Sequence, residues 1–220
     1  KNQHDSLAVL AMAERGGLLH APDVYMEKIA VGPGYEPGII DLDRTPTENV
    51  EAIAEARGVS VADVTVCVLD RPRHAHIIDE LREIGASIKL INDGDIAGGI
   101  HTTDRDETGI DLYMGTGGAP EGVLAAAALR CVGGQMQGRL VLDSDEKRVG
   151  RRENPPKTCG NIHHCDALMV KDCAPNQCAA FARYLIVQIQ FQGAQISARL
   201  FLCHYLLHII GRQQVSSRYV

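Results

Sequence analysis

The apolar run at residues 64–69, Val-Thr-Val-Cys-Val-Leu, constrains the fold of this chain more than any other feature. It is rich in β-branched residues and apolar on both faces, which is typical of a parallel strand covered by helices. Predicted strands and helices alternate on either side of this run. The strands are predicted at 6–13, 87–91 and 110–114, and the helices at 45–57, 77–84 and 123–131. The sequence therefore predicts an α/β domain whose ligands bind where the strands end.

The helix predicted at 45–57 has the clearest boundaries in the chain. Thr45 is in the N-cap position, Pro46 follows as the first helical residue, and Glu48 is placed to close a capping box. Gly58 ends the pattern.

Two glycine-rich segments follow predicted strands and carry carboxylates. The first is Asp93-Gly94-Asp95, and the second is 115–122, where Glu121 falls in the first turn of a helix. Glycine lets the backbone approach a ligand closely, and carboxylate oxygens suit Mg²⁺ or Mn²⁺. Taken alone, each segment is more simply explained as an ordinary turn or helix entry.

A pair of arginines separated by proline, Arg71-Pro72-Arg73, follows the run at 64–69. Guanidinium groups present a bidentate donor fork, so this tripeptide is a candidate phosphate clamp. The alternative is a solvated loop in which an arginine pairs weakly with Asp70. His74 is expected on the helix that follows rather than on a metal.

The segment at 22–34 shows no clear period and is predicted to be a loop. It could direct Tyr25 and Lys28 toward an anionic ligand, or Tyr25 could simply pack. Residues 18–21 are the expected hairpin partner of a buried strand at 6–13.

Charge and cysteine divide the 220 residues into two parts. The formal net charge is -6, made up of -11 over residues 1–150 and +5 over residues 151–220. Five of the seven cysteines lie in the second part. The acidic first part argues against nucleic acid as a partner. No signal peptide or spanning helix is recognised, so a cytoplasmic protein without membrane partners is expected, and the first residue, Lys1, suggests an internal point of a longer protein.

The tail at 151–220 invites several interpretations. A slipped reading frame would explain its basic, Cys- and His-rich composition. A zinc site is the alternative, although the spacings are irregular: its donors would be Cys159, His163, His164, Cys165, Cys173 and Cys178. One or two helices are predicted within 181–210.

Six motifs over about residues 5–150 resemble the class II fructose-1,6-bisphosphatases, including the bifunctional fructose/sedoheptulose bisphosphatase branch. They keep that family's order and spacing: Leu-His-Ala-Pro-Asp-Val-Tyr-Met-Glu-Lys at 19–28, Val-Gly-Pro-Gly at 31–34, Arg-Pro-Arg-His at 71–74, Asp-Gly-Asp at 93–95, Gly-Gly-Ala-Pro-Glu-Gly at 117–122 and Gly-Gln-Met-Gln-Gly-Arg-Leu at 134–140.

The resemblance implies a cytoplasmic phosphatase that uses Mn²⁺ or Mg²⁺ to remove the 1-phosphate of a sugar bisphosphate, in gluconeogenesis or carbon fixation. It also implies a layered sugar-phosphatase fold, present here as a partial domain at 1–150, and a homo-oligomer when intact. Glu121 matches a metal ligand of the family, whereas the substrate-contacting positions are Tyr25, Arg71, Pro72, Arg73, Asp93, Gly94, Asp95 and Gly118.

The family's other metal ligands lie upstream of the segment that matches Lys1, and no residue here is assigned as catalytic. Little catalysis is therefore expected of this chain alone, because one carboxylate cannot hold two hard cations. The alternatives are a non-catalytic fragment that binds sugar phosphate or oligomerises, and a Mg²⁺-dependent phosphatase acting on inositol phosphates.

Overall fold

The structure is a computed structural model that describes residues 6–12, 18–141, 185–192 and 195–202. Its strands are β1 (Ser6–Met12), β2 (Tyr25–Val31), β3 (Thr65–Leu69), β4 (Ser87–Ile91), β5 (Leu112–Gly118), β6 (Gln135–Val141), β7 (Leu185–Gln192) and β8 (Gln195–Leu202). Its α-helices are α1 (Pro46–Arg57), α2 (Ala75–Glu83), α3 (Asp95–His101), α4 (Arg105–Thr108) and α5 (Ala119–Val132).

A mixed sheet of order β4-β3-β5-β2-β6 is the centre of the fold. β3 pairs in parallel with both β4 and β5, whereas β2 pairs antiparallel with β5 and β6. The predicted parallel strand at 64–69 is thereby confirmed as β3. A second sheet, of order β1-β7-β8, is antiparallel.

Side chains of the central strands alternate between two apolar cores. Val66 and Leu112 face one core, and Cys67 and Tyr113 face the other. Burial raises the pKa of Cys67 to about 12, as befits a core thiol. Helices cover both faces, α1 and α2 through Val50, Ile53, Ile78 and Leu81, and α5 through Ala125, Ala126 and Leu129. This layered arrangement confirms the predicted α/β class.

The helix α1 has the predicted caps. The Thr45 hydroxyl accepts a hydrogen bond from the Glu48 amide at 3.2 Å, and the Glu48 carboxylate accepts one from the Thr45 amide at 2.8 Å. Gly58 ends the helix with a φ of 65°. Such caps contribute about 1 kcal/mol each to helix stability.

The loop predicted at 22–34 is wrong over residues 25–31, which form β2. Met26, Ile29 and Val31 are buried in β2, and Lys28 is buried as well. Because both faces of the strand are covered, hydrophobic residues do not alternate with polar ones, and the charged Lys28 hides the apolar run.

The glycine-rich loop predicted at 115–122 is also wrong. β5 continues through Gly118, pairing Gly115 with Lys28 and Gly118 with Tyr25, and α5 begins directly at Ala119. Glycine weakens a strand by intrinsic preference, but pairing with β2 overrides that preference here. Glu121 does lie in the first turn of α5, as predicted.

The hairpin predicted between residues 6–13 and 18–21 is wrong, and so are the helices predicted near the C-terminal end. Residues 18–21 form no strand, and β1 pairs with β7 instead of a hairpin partner. β1 is only partly buried, since Leu10 is 54% exposed while Val9 and Ala11 pack near α5. Residues 185–192 and 195–202, where one or two helices were predicted, form β7 and β8, and their partner strand β1 is remote in sequence.

The domain boundary predicted at residue 150 and the candidate zinc ligands at 159–178 lie outside the described residues. Within the part of the chain that the structure describes, no helix is both long enough and apolar enough to cross a membrane.

Candidate functional site

The carboxyl ends of β3, β4 and β5 meet at one edge of the central sheet, since these three strands are parallel. Antiparallel β2 begins at the same edge. The edge therefore gathers Tyr25 from β2, Arg73 from the segment after β3, Asp95 from the start of α3 and Glu121 from the start of α5. This is the position expected for a ligand site in an α/β sheet.

Lys28 is the ionic centre of this edge. Its side chain is only 2% exposed, and its Nζ forms an ion pair with Asp95 and donates a hydrogen bond to the Gly118 carbonyl at 2.7 Å. Burial lowers the pKa of Lys28, while the carboxylates of Asp95 and Glu121 oppose that shift. Lys28 thus links three elements of the fold, β2, β5 and α3. Its ammonium is directed at Asp95 rather than at open solvent.

The glycines at the end of β5 let the carboxylates approach the backbone. A Cβ on Gly117 would lie 2.1 Å from Asp95 Oδ2, and one on Gly118 would lie 1.9 Å from Glu121 Oε2. Any side chain at either position would displace a carboxylate. The glycine run is therefore required by the geometry of the site, in addition to its place in the sheet.

Arg73 lies across the Tyr25 ring, with its Cζ 5.1 Å from the ring centroid. Its Nε and Nη2 donate to the Thr116 carbonyl at 3.0 and 2.7 Å. Tyr25 is 52% exposed, so this cation–π pair is open to solvent. A guanidinium held in this way is a suitable group for binding a phosphate.

His74 lies beneath this arginine and is 1% exposed. The Thr116 amide donates to His74 Nε2 at 2.8 Å, and the opposite ring nitrogen, Nδ1, lies 2.8 Å from the Leu69 carbonyl. Since Nε2 accepts, the proton is on Nδ1, which donates to Leu69. His74 was expected on the following helix, but it ends the 3₁₀ turn at Pro72–His74 and directly precedes α2. Its bond to Thr116 was not anticipated.

The other predicted site residues are less closely involved. Arg71 Nη1 donates to the neighbouring Asp70 carbonyl at 2.9 Å. Asp93 is exposed and accepts a hydrogen bond from the Gly94 amide at 2.9 Å, while Gly94 has a φ of 86° and precedes α3. Pro72 opens the 3₁₀ turn at Pro72–His74. These residues lie on the same edge, and among the described residues none of them forms a hydrogen bond or an ion pair with Lys28, Asp95 or Glu121.

His74 received no role in the site from the sequence, which suggested an anionic ligand for Lys28 instead of the ion pair with Asp95. For Lys28 the usable signal was a single lysine within the run Met-Glu-Lys-Ile-Ala-Val, where a buried cation requires a partner. For His74 it was the position directly after the arginine pair.

Burial lowers the pKa of His74 below its ordinary value of 6.5, with a smaller contribution from Arg73 and His76 that the hydrogen bond to Leu69 opposes. The unfolded chain therefore takes up this proton at higher pH than the folded chain. The free energy of unfolding is expected to fall as pH drops below about 6.5, and the loss levels off below the folded pKa.

Urea unfolding at pH 7.5 and 5.5 measures this effect. His74→Gln is expected to reduce the difference in stability between the two pH values, whereas His76→Gln, at an exposed position of α2, should leave it unchanged. An equal pH dependence in both variants would contradict the assignment.

A second ionic cluster lies at the opposite edge of the sheet. The Asp111 carboxylate is buried, contacts Arg57 at 2.9 Å and Arg105 at 2.6 Å, and accepts from the Thr65 amide at 2.9 Å. These charged residues border a cavity of about 540 Å³ that also includes Tyr35. Because two arginines and a backbone amide already contact the Asp111 carboxylate, its hydrogen-bonding groups are paired within the cluster.

Metal donors are sparse among the described residues: no three His, Cys, Asp or Glu side chains converge to hold an ion. Asp95 and Glu121 both face the Lys28 ammonium. Hard divalent cations need about six oxygen ligands. The described residues therefore do not form a metal centre by themselves.

Comparison with known proteins agrees with the resemblance inferred from the motifs. The family model for bacterial fructose-1,6-bisphosphatase, glpX-encoded, matches residues 1–195, a range that extends past residue 150. The protein from Synechococcus sp. (strain JA-3-3Ab) named D-fructose 1,6-bisphosphatase class 2/sedoheptulose 1,7-bisphosphatase is 49% identical over 150 residues, which cover 68% of this chain and 43% of that protein. The protein of the same name from Prochlorococcus marinus (strain NATL1A) is 45% identical over 171 residues, 78% of this chain and 50% of that protein.

The chain thus spans about half the length of the curated relatives it matches, or somewhat less. The family model, in contrast, covers most of the chain. Four of the six motifs, at 19–28, 71–74, 93–95 and 117–122, reach the site edge of the central sheet, whereas 31–34 follows the far end of β2 and 134–140 runs along β6. The chain belongs to the family of bacterial, glpX-encoded fructose-1,6-bisphosphatases.

Proposed function

We propose that this chain supplies the substrate-holding side of a metal-dependent phosphatase that hydrolyses the 1-phosphate of fructose-1,6-bisphosphate. The observation that carries the proposal is the solvent-open Arg73–Tyr25 pair beside the carboxylates of Asp95 and Glu121, at the carboxyl edge of the sheet. The family and the names of its relatives support the same substrate. Those names also support sedoheptulose 1,7-bisphosphate as a second substrate.

The predicted residues divide into three roles. Arg71 and Arg73 bind phosphate, with Pro72 restricting the backbone between them. The exposed carboxylate of Asp93, the largely buried carboxylate of Asp95 and the ring of Tyr25 orient the sugar. Gly118 leaves room for the ligand and for the Glu121 carboxylate.

The predicted cofactor is Mn²⁺ or Mg²⁺, and Glu121 is the ligand that this chain offers. Carboxylates and a phosphate repel one another unless a divalent cation lies between them, which favours a metal-assisted site. Because no complete donor set is described, the contribution of this chain's own residues is the binding and orientation of the substrate.

The remaining proposals follow from the family and from charge. The acidic first part of the chain does not favour nucleic acid as a partner, and no membrane partner is proposed. A homo-oligomer in the cytoplasm is the expected form of the intact enzyme.

Calorimetric titration of the chain with fructose-1,6-bisphosphate tests substrate binding. Arg73→Ala is expected to weaken binding tenfold to a hundredfold, because a charge-assisted hydrogen bond contributes about 1.5–3 kcal/mol. Arg82→Ala is the matched control, since Arg82 is exposed on α2 and, among the described residues, pairs with Asp79 alone. The Arg82→Ala variant should bind with the affinity of the unaltered chain. Absence of binding by the unaltered chain would overturn the proposal.

Phosphate release in the presence of Mn²⁺ or Mg²⁺ separates the proposal from its alternatives. Release that Glu121→Gln abolishes supports a hydrolase, whereas binding without release supports a non-catalytic sugar-phosphate-binding fragment. Competition by inositol phosphates that exceeds competition by fructose-1,6-bisphosphate would support the third alternative.

A further inference from the structure

One side of β5 loses its partner strand within the site. β3 pairs with β5 only as far as Met114, opposite Val68, and β3 itself ends at Leu69. On its other side, β5 stays paired with β2 through Gly118. The residues of β5 beyond Met114 therefore need other hydrogen-bond partners on the side where β3 has ended.

Two consecutive side chains supply those partners at Thr116. Its amide donates to His74 Nε2 at 2.8 Å, and its carbonyl accepts from Arg73 Nε and Nη2 at 3.0 and 2.7 Å. An imidazole and a guanidinium thus take the places that a carbonyl and an amide of a further strand would occupy. The main chain of Thr116 is thus held through both its N–H and its C=O group.

The imidazole can do this in only one protonation state. Nε2 must accept, so the proton resides on Nδ1, where the Leu69 carbonyl receives it at 2.8 Å. His74 is almost fully buried, so solvent cannot replace either bond. An imidazolium would set an N–H group against the Thr116 N–H group and break the contact.

Thr116 in turn fixes the guanidinium of Arg73. Two of the five guanidinium N–H groups are used on its carbonyl, and the group lies 5.1 Å from the Tyr25 ring centroid. Both contacts define the orientation of the guanidinium before any anion arrives. Such preorganisation strengthens binding because less side-chain freedom is lost on association.

We infer that His74 is a positioning residue that fixes Arg73, through the main chain of Thr116, for a phosphate-bearing ligand. His74 does not touch the ligand, since it is 1% exposed. The ligand class rests on the proposed function, whereas the orientation of Arg73 does not.

Nuclear magnetic resonance of the chain without ligand tests the inference. The Nε–H signal of Arg73 is expected to exchange slowly with solvent in the unaltered chain and in His74→Gln, whose amide oxygen can accept from Thr116. In His74→Leu the signal should exchange rapidly. His76→Leu, one helical position beyond Ala75 and exposed, should match the unaltered chain. If the Arg73 Nε–H signal exchanges with solvent as slowly in His74→Leu as in the unaltered chain, the inference is overturned.

A double-mutant cycle on affinity for fructose-1,6-bisphosphate gives a second measurement. His74→Leu should weaken binding about tenfold, and the double variant with Arg73→Ala should bind as Arg73→Ala does, within a factor of about two. If the losses of binding free energy in His74→Leu and Arg73→Ala add fully in the double variant, the positioning role of His74 is contradicted. If the unaltered chain does not bind the sugar bisphosphate, the proposed function fails, and the Arg73 signal still decides the role of His74.

If His74→Leu does not fold, two other measurements test the role of His74. They are the ¹⁵N shifts of the His74 imidazole in the unaltered chain and the exchange of the Arg73 Nε–H signal in His74→Gln. The inference expects an unprotonated Nε2 and a protonated Nδ1. A proton on Nε2 would overturn it.

Discussion

Replacement of Lys28 by methionine is expected to lower the free energy of unfolding by about 3–5 kcal/mol. Methionine has a similar length and fits the apolar surroundings of β2, so the loss comes from the charges and not from a cavity. The Asp95 side chain, 11% exposed, would lose its cation, and the Gly118 carbonyl would lose its donor. Breaking one partner of a buried pair leaves an uncompensated charge, which costs more than the pair contributes.

Two variants make this prediction specific. Lys89→Met places the same substitution at an exposed position of β4 and should change stability by no more than about 0.5 kcal/mol. The double variant Lys28→Met/Asp95→Asn should recover at least half of the loss, because it removes the unpaired carboxylate. Urea unfolding followed by circular dichroism measures all three. Equal losses in Lys28→Met and Lys89→Met would refute the ionic role of Lys28.

Gly32→Ala is expected to destabilise the domain by about 3 kcal/mol, at the upper end of what overpacking costs. A Cβ at Gly32 would lie 2.0 Å from the Thr102 carbonyl oxygen and 3.3 Å from the Cα of Thr103. These are backbone atoms at the end of α3, so no side chain can rotate away. Either the segment after β2 or the end of α3 must move.

Gly99→Ala is the matched control for this substitution. Gly99 is buried in the same helix α3, but its added Cβ would meet only the Ala125 methyl at 3.4 Å, an ordinary contact. Alanine is also the better helix former by about 1 kcal/mol, so stability should stay level or rise. If thermal or urea unfolding shows the two variants to be equally destabilised, the close approach at Gly32 is not the cause.

The sequence was most informative where local chemistry determines the structure. The Thr45 to Gly58 helix could be read from its caps, because each capping residue acts on backbone groups within four positions. The strand β4 was predicted with its correct bounds, since apolar residues ended at a turn. The motifs also gathered most of the candidate site at the correct edge of the sheet, because that edge follows from strand direction alone.

The predictions were wrong or incomplete where residues distant in the chain determine the local structure. Lys28 made β2 look like a loop, and only Asp95, 67 positions later, explains how a lysine can be buried there. The glycines of β5 indicated a turn because strand preference is weak and pairing with β2 dominates. His74 gave no local sign of its bond to Thr116, 42 positions away.

The position of β2 between β5 and β6 has a consequence for the order of folding. β3, α2 and β4 can associate early, because they are close neighbours along the chain. β2 must instead find β5 and β6, with Tyr25 opposite both Gly118 and Val141, so its docking closes loops of about a hundred residues. Arg73 and Asp95 therefore reach their edge of the sheet before Tyr25 and Lys28 do. A ligand held by the Arg73–Tyr25 pair should bind only after β2 has paired, and its binding can serve as a kinetic probe for that step.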